Sequence, residues 1–323
     1  MWQHTVKKEI SFAGVGLHSG KPVKMVVKPA AANSGIRFKR VDLGKDAIVR
    51  ASMRRVSDTT LATTLSKNNV FVGTTEHLLA ALCGLEIDNV LVELNSDELP
   101  IMDGSAGPFV QVLKKNRKAQ KSRRLMMKII KEMTFKAGDT EINVKPFDGF
   151  KITSKVQFDH PVIKSQAYTV QVDQESFVKE IASARTFGFL EQVEYLRANG
   201  KALGGSLENA VVIDKDGIVN AEGLRFADEF ARHKVLDLVG DLALLGCPLL
   251  GHVTACRGGH TQHVAFMRML ADNSECWELV KRSDDGHESV MDKVRMATKA
   301  AGKMVLPFLL PPVPALHSPK IAC

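Results

Sequence analysis

His233, Asp237 and Asp241 fall at i, i+4 and i+8 in the run from Phe230 to Leu242. A helix through that run carries all three on one face. Its other positions are mostly apolar, so the face is expected to be buried, and a buried charge needs a partner or a metal ion to offset its lost hydration. An imidazole and a carboxylate four residues apart can hold one divalent ion together. The same spacing also serves a surface His–Asp ion pair, and spacing alone does not choose between them. Glu76 and His77 open a second helical pattern. Neighbours on a helix point about 100° apart, so one can bind a metal while the other reaches a water beside it, and the helix N-terminus favours an anion. Taken alone, the pair reads as an exposed first turn in which Glu76 serves the helix dipole. A third feature is Arg257-Gly258-Gly259-His260. Paired glycines give a close-approach loop, and a histidine at its tip suits acid or base work. His252, Cys256 and His260 have helical spacing for a metal site, but Gly251 to Ala255 reads as strand, which keeps the three apart. His18 and His160 read as ordinary loop histidines. Gly14-Val15-Gly16 lacks the spacing of a dinucleotide fingerprint, and there is no H-E-x-x-H or G-x-S-x-G.

The elements that must position these residues follow from the patterning. Val23, Met25 and Val27, then Ile36 and Phe38, alternate with polar residues between turn signals at Ser19-Gly20 and Asn33-Ser34-Gly35, which predicts short antiparallel strands. Thr74 to Gly84 predicts a helix, with Thr75 as N-cap and Gly84 as the left-handed C′ residue, followed by a strand from Asn89 to Leu94. The second half has strand-like segments from Leu125 to about Val172. A long helix over roughly Ala227 to Leu245 then stops at Gly246 with Pro248 beyond, and a strand follows from Leu250 to Ala255. In each half a histidine-bearing helix stops at a glycine and feeds a strand, a hint of internal duplication. The expected class is α+β: two similar domains, each a β-sheet layered with helices. The expected boundaries are 1–113, a basic linker at 114–124, a second domain at 125–283, and a Pro-rich tail at 284–323.

Composition narrows the function classes. At 323 residues, 45% hydrophobic and 25% charged, the chain has the makeup of a globular protein long enough for two cores. The N-terminal residues lack the apolar core of a signal peptide, and no run of about 18 apolar residues predicts a spanning helix. The most apolar stretch, Val305 to Leu316, is broken by four prolines. Five cysteines without C-x-x-C spacing fit a reducing cytoplasm and mostly buried thiols. The net charge of +8 is concentrated in the seven basic residues from Lys114 to Arg124. Such a run is a solvated linker or marks an anionic partner. A nucleic-acid partner is not expected, because the run has no interleaved aromatics and aromatic residues make up only 6% of the chain.

Five separated motifs, in order, resemble the bacterial UDP-3-O-acyl-N-acetylglucosamine deacetylase family. They are Gly14-Val15-Gly16-Leu17-His18-Ser19-Gly20, Thr75-Glu76-His77-Leu78, Ile101-Met102-Asp103-Gly104-Ser105-Ala106, Ala184-Arg185-Thr186-Phe187-Gly188-Phe189, and Arg232-His233-Lys234 with Asp237, Gly240 and Asp241. The pair Gly259-His260 matches as well. The resemblance implies removal of acetate from the sugar nitrogen of a UDP-sugar early in lipid A synthesis in Gram-negative bacteria. It implies an active site between the two domains, with a catalytic zinc, or iron(II) as the alternative, held by His77, His233 and Asp237. It also implies Glu76 as base, His260 as acid oriented by Asp241, and Thr186 as a hydroxyl that stabilises the oxyanion. Lys234 and Arg257 are expected at the substrate's diphosphate, although the family commonly has lysine at the latter position. Phe158, expected to stack on the uracil, and Phe187 complete the substrate-binding set. The segment 188–205 corresponds to the family's insert around the fatty acyl chain, with Phe189, Leu190, Val193, Tyr195 and Leu196 as candidate lining. An amphiphilic substrate gives the basic surface an expected role in transient contact with the inner membrane. Three rival readings remain: a zinc amidase for another N-acetyl compound, a basic nucleic-acid-binding protein, and a metal-stabilised scaffold. The last would normally have four protein ligands.

Overall fold

A computed structural model describes residues 1–158, 160, 163–282 and 288–291. Six helices are used as landmarks: α1 (Glu76–Gly84), α2 (Gly107–Leu113), α3 (Gln174–Ser176), α4 (Leu190–Ala198), α5 (Glu229–Leu242) and α6 (His260–Asp272). Helices and sheets alternate along the chain, and the class is α+β.

The alternating segments near the start pair as expected. Their sheet runs in the order Ile10–Val15, Pro22–Pro29, Val90–Leu94, Ile36–Arg40, Ile48–Arg50. The strand after α1 enters the middle of this sheet, antiparallel to Pro22–Pro29 and parallel to Ile36–Arg40. The second half repeats the arrangement. Leu249–Cys256, the strand after α5, lies antiparallel to Thr140–Lys145 and parallel to Phe150–Gln157. Met133–Ala137 and Ser165–Gln171 complete the two flanking hairpins. The five strands thus follow the same order and the same directions in both halves. Met126–Ile129, Trp277–Arg282 and Glu288–Met291 extend the second sheet.

One continuous apolar core joins the two halves. It includes Leu78, Leu79 and Leu82 of α1, Leu236, Val239 and Leu242 of α5, and Val92 and Val253 from the two central strands. The α5 helix is buried along most of its length, as its composition demanded, and stops where Gly246 takes φ 81° after a short 3₁₀ turn at Ala243–Leu245.

Three sequence expectations change here. Gly84 is not a left-handed cap: it lies inside α1, and Glu86 adopts the positive φ instead, at 54°. Glycine is required there by packing, because a Cβ would sit 2.2 Å from the Phe177 ring. Thr75 precedes α1, but its hydroxyl donates to the Thr63 carbonyl rather than capping the helix. The basic run is not a free linker, since Arg117–Arg123 forms a strand antiparallel to Trp2–Val6. Arg117 pairs with Glu86, Arg124 with Asp88, and Arg123 lies over the Trp2 ring at 3.7 Å. Six polar residues around a single Ala119 hid that strand, whose order comes from pairing with the N-terminal segment.

Within the tail expected at 284–323, residues 288–291 form the last strand; 284–287 and 292–323 lie outside the described residues. Cys83, Cys247, Cys256 and Cys276 are free thiols, and Cys247 and Cys276 are buried. No helix among the described residues is long and apolar enough to cross a membrane.

Candidate active site

The helices α1 and α5 pack directly against each other. Gly240 makes this possible: a Cβ at that position would lie 2.1 Å from the Glu76 carbonyl oxygen. Absence of a side chain lets the first turn of α1 lie on α5, which brings Glu76 and His77 to His233, Asp237 and Asp241. The exposed-first-turn reading of Glu76-His77 therefore fails, since both residues are buried.

His77, His233 and Asp237 each point one ligand atom into a common space, with those atoms within 4.8 Å of one another. His233 Nδ1 donates to the Ala184 carbonyl at 3.0 Å, which leaves Nε2 as the lone-pair nitrogen, 3.3 Å from Asp237 Oδ1. His77 Nε2 is 3.9 Å from the same oxygen, too far for a hydrogen bond. Lys234 Nζ donates to Asp237 Oδ2 at 2.9 Å, so Oδ1 is the oxygen left to the imidazoles. Burial drives both histidines toward the neutral form, His77 down to about 3. Burial opposes the charge of Asp237, but the positive charges of Lys234 and His260 hold its carboxyl well below the usual range. Two neutral imidazoles and one ionised carboxylate form a divalent-metal donor set with room for further ligands. The edge of a zinc tetrahedron with bonds near 2.0–2.1 Å is about 3.3 Å, comparable to the His233–Asp237 separation.

A second trio, Asp241, His260 and His263, is built differently. His260 Nδ1 and His263 Nδ1 both lie 2.7 Å from Asp241 Oδ2, and Thr63 Oγ1 donates to Oδ1 at 2.6 Å. Separations of 2.7 Å are hydrogen-bond lengths, well below a metal-ligand edge, so this trio is a hydrogen-bonded carboxylate. His260 Nε2 faces Glu76 Oε1 at 3.9 Å. Burial, above all, pushes Glu76 up to about 7, against the pull of His260. Burial alone would lower His260, but the Asp241 carboxylate, with Glu76 and Asp237 behind it, outweighs this and raises it to about 10. The site therefore pairs a carboxylate poised near neutrality with a histidine that keeps its proton, the division of labour expected of a base and an acid.

The remaining expected residues divide. Thr186 is fixed through its backbone: its N–H donates to Gly104 at 2.8 Å and its carbonyl accepts from Val211 at 2.8 Å. A Cβ at Gly104 would meet the Asn209 carbonyl at 2.1 Å, so this crossing needs glycine. Arg185 anchors the same segment. It is 2% exposed, and both its backbone N–H and Nε donate to Glu229 Oε1, at the start of α5, at 2.9 Å. Phe187 joins the His77–His233–Asp237 group to neighbouring aromatic rings, with its ring centroid 6.2 Å from His233, 4.7 Å from Phe230 and 5.7 Å from Phe158. Lys234 Nζ lies 5.6 Å from that ring. Arg257 is engaged elsewhere, in an ion pair with Asp139 at 2.9 Å, with both partners solvent-exposed. His252, the member of the discarded rival trio on the strand, bonds Thr153 Oγ1 at 2.9 Å.

Two residues were not anticipated. Thr63 donates its backbone N–H to Glu76 Oε2 at 3.0 Å and its hydroxyl to Asp241 Oδ1, tying Glu76 to the carboxylate that holds His260. Nothing in a Thr-rich loop signals that. His263 had a signal in its i+3 spacing from His260 on a helix.

The family model described as UDP-3-O-acyl N-acetylglycosamine deacetylase matches residues 3–272. The chain belongs to this family. All the site residues above lie inside the matched span. The UDP-3-O-acyl-N-acetylglucosamine deacetylase of Geotalea uraniireducens is 46% identical over 282 residues, covering 87% of this chain and 92% of that protein. The enzyme of the same name from Pseudomonas entomophila is 46% identical, covering 86% and 93% of the two chains. That of Methylococcus capsulatus is 44% identical over 304 residues, covering 93% and 99%. The deacetylase relationship thus extends over nearly the whole chain.

Proposed function

We propose that the chain hydrolyses the N-acetyl group of UDP-3-O-(3-hydroxyacyl)-N-acetylglucosamine, releasing acetate, in the cytoplasm as a step of lipid A biosynthesis. The observation that carries the reading is the meeting of His77 with His233 and Asp237 beside a buried Glu76–His260 pair. It occurs in a chain that shares 44–47% identity with the curated deacetylases.

Zinc held by His77, His233 and Asp237 would supply Lewis-acid chemistry, polarising the acetamide carbonyl and acidifying water, with iron(II) as the alternative. Glu76 takes the proton of the attacking water. Its second oxygen is held by the Thr63 N–H, which fixes the carboxylate in place. His260 gives its proton to the departing nitrogen, which otherwise leaves as a strongly basic amide anion. Asp241 fixes the ring so that Nδ1–H faces the carboxylate and Nε2–H faces the reacting groups. Thr186 offers its hydroxyl to the developing oxyanion, a contribution typically of about 3 kcal/mol. Lys234, one quarter exposed, is placed to meet the diphosphate, and Phe158 and Phe187 give an apolar wall for the base. Arg257 reaches the diphosphate only by releasing Asp139.

The insert supports an acyl chain. None of the residues of α4 is buried, although Leu190, Val193, Tyr195 and Leu196 lie along it. Apolar residues left uncovered in this way suit a lipid tail rather than a core. The far end of the insert is tied to the first half through Leu203 N–H to the His18 carbonyl and Gly204 N–H to the Leu17 carbonyl. Lys114, Lys115, Lys118 and Lys121 stay exposed and favour transient contact with an anionic lipid surface. Liposome sedimentation without salt-sensitive binding would remove that contact from the account. The boundaries 1–113 and 125–283 follow the repeated sheet order.

The test is acetate release from the acylated UDP-sugar by metal-stripped and zinc-reconstituted protein. Activity that returns with zinc is expected. No turnover by folded, zinc-loaded protein across several acyl lengths would leave the family fold with another substrate.

A further inference from the structure

We propose that His263 is a positioning residue for the proton donor: it clamps the Asp241 carboxylate so that His260 keeps one ring orientation through the reaction. The inference rests on the reading of His260 as the acid.

The geometry carries it. Asp241 is fully buried and receives three donors: Thr63 on Oδ1, and His260 and His263 together on Oδ2. Because a carboxylate oxygen only accepts, Nδ1 of His263 carries hydrogen. The three donors come from three places: a first-half loop, the first residue of α6, and the next turn of α6. Without His263 the carboxylate is held at one point on each oxygen and can swing with the His260 ring. With it, Oδ2 is pinned between two imidazoles whose planes stand at 85°, with centroids 6.1 Å apart.

The backbone is shaped for this second ring. A Cβ at Gly258 would lie 2.9 Å from His263 Nε2, so the glycine leaves space that the imidazole occupies. The His263 N–H donates to the Gly259 carbonyl at 2.9 Å, which starts α6 so that His260 and His263 share a face. His263 is 1% exposed. A buried imidazole with its donor atom on a carboxylate has an electrostatic effect as well as a steric one. Sharing Oδ2 divides the carboxylate's attraction between two N–H groups, so His260 holds its proton less tightly than it would with Asp241 to itself. The other groups facing His260 are Glu76 and His77 from α1 and His233 and Asp237 from α5.

The experiment compares His263→Asn and His263→Leu with the wild type, all zinc-loaded. Asparagine places an amide N–H where Nδ1 stood; leucine fills the space without a donor. His263→Leu is expected to lower kcat by about tenfold with little change in KM, as suits a misaligned general acid. The alkaline limb of its kcat profile is expected to move up by about half a pH unit. His263→Asn is expected to restore both. The His260 ring titration, followed by ¹⁵N–¹H NMR, should show the same upward shift in His263→Leu and its reversal in His263→Asn. That readout does not need turnover, so failure of the wild type to release acetate would count against the proposed function alone. Two results would overturn the clamp: a His263→Leu protein with wild-type kcat and His260 titration, or equal losses in both variants with a common drop in Tm, which would mark packing alone.

Discussion

Replacing Gly240 by alanine should pull the two parts of the site apart without touching a chemical group. The added Cβ would start 2.1 Å from the Glu76 carbonyl oxygen, 2.8 Å from its carbon and 3.0 Å from its Cα. Relief to ordinary contact near 3.5 Å requires α1 and α5 to separate by roughly 1.4 Å. All three atoms are backbone, so no side chain can swing away to absorb the strain. Overpacking of this kind costs about 1–3 kcal/mol, which for a chain of this size lowers Tm by roughly 2–5 °C. The effect on chemistry should be larger than the effect on stability. His77 is the one metal-site residue on α1, and a shift of about 1 Å in a reacting constellation costs about 100-fold in rate. The assay is zinc affinity by chelator competition, together with kcat/KM and a thermal melt. Gly217→Ala is the control, because nothing lies within 4 Å of its Cβ and its φ is unstrained. Gly240→Ala with zinc affinity and kcat/KM equal to the control would refute the claim that this helix crossing builds the site.

Two further outcomes follow from the electrostatics. His260 holds its proton more tightly folded than unfolded, so the stabilisation is complete below about pH 6.5 and is lost as pH rises through about 10. Melts of the metal-free protein should fall across that window, and His260→Gln should flatten the fall; an unchanged slope would deny the Asp241 partnership. Arg185→Ala strands the wholly buried Glu229 and should cost about 3–5 kcal/mol, most of it recovered when Glu229→Met accompanies Arg185→Met. Equal melting temperatures for Arg185→Ala and wild type would contradict this.

The sequence revealed the chemistry on single elements more readily than the contacts between them. His233, Asp237 and Asp241 share a face because helical geometry alone sets it, and the apolar residues between them announced burial. Spacing could not show that one carboxylate joins the ligand cluster while the other, one turn on, serves two histidines. That division depends on the arrival of α1 and α6. The approach of His77 to His233 is a tertiary fact licensed by a missing side chain at Gly240, and only family resemblance anticipated it. Thr63 was invisible because its role uses a backbone N–H as much as its hydroxyl. The strand at Arg117–Arg123 was hidden because its partners are the first residues of the chain, and an edge strand with polar residues on both faces has no period to read. The repeated sheet order was glimpsed in the recurrence of helix, glycine and strand, and its full match appears only in the pairing.

In the proposed reaction Glu76 is the base of an amide hydrolase whose metal ligands are His77, His233 and Asp237. The most direct test of that role is kcat for acetate release by Glu76→Gln at measured, full zinc occupancy. A fall of about 100-fold or more is expected, with zinc content equal to wild type and Tm equal or higher, because burial already disfavours the Glu76 charge. A variant that binds zinc normally and turns over within about threefold of wild type, far less than loss of a general base costs, would contradict it and assign the proton to another group.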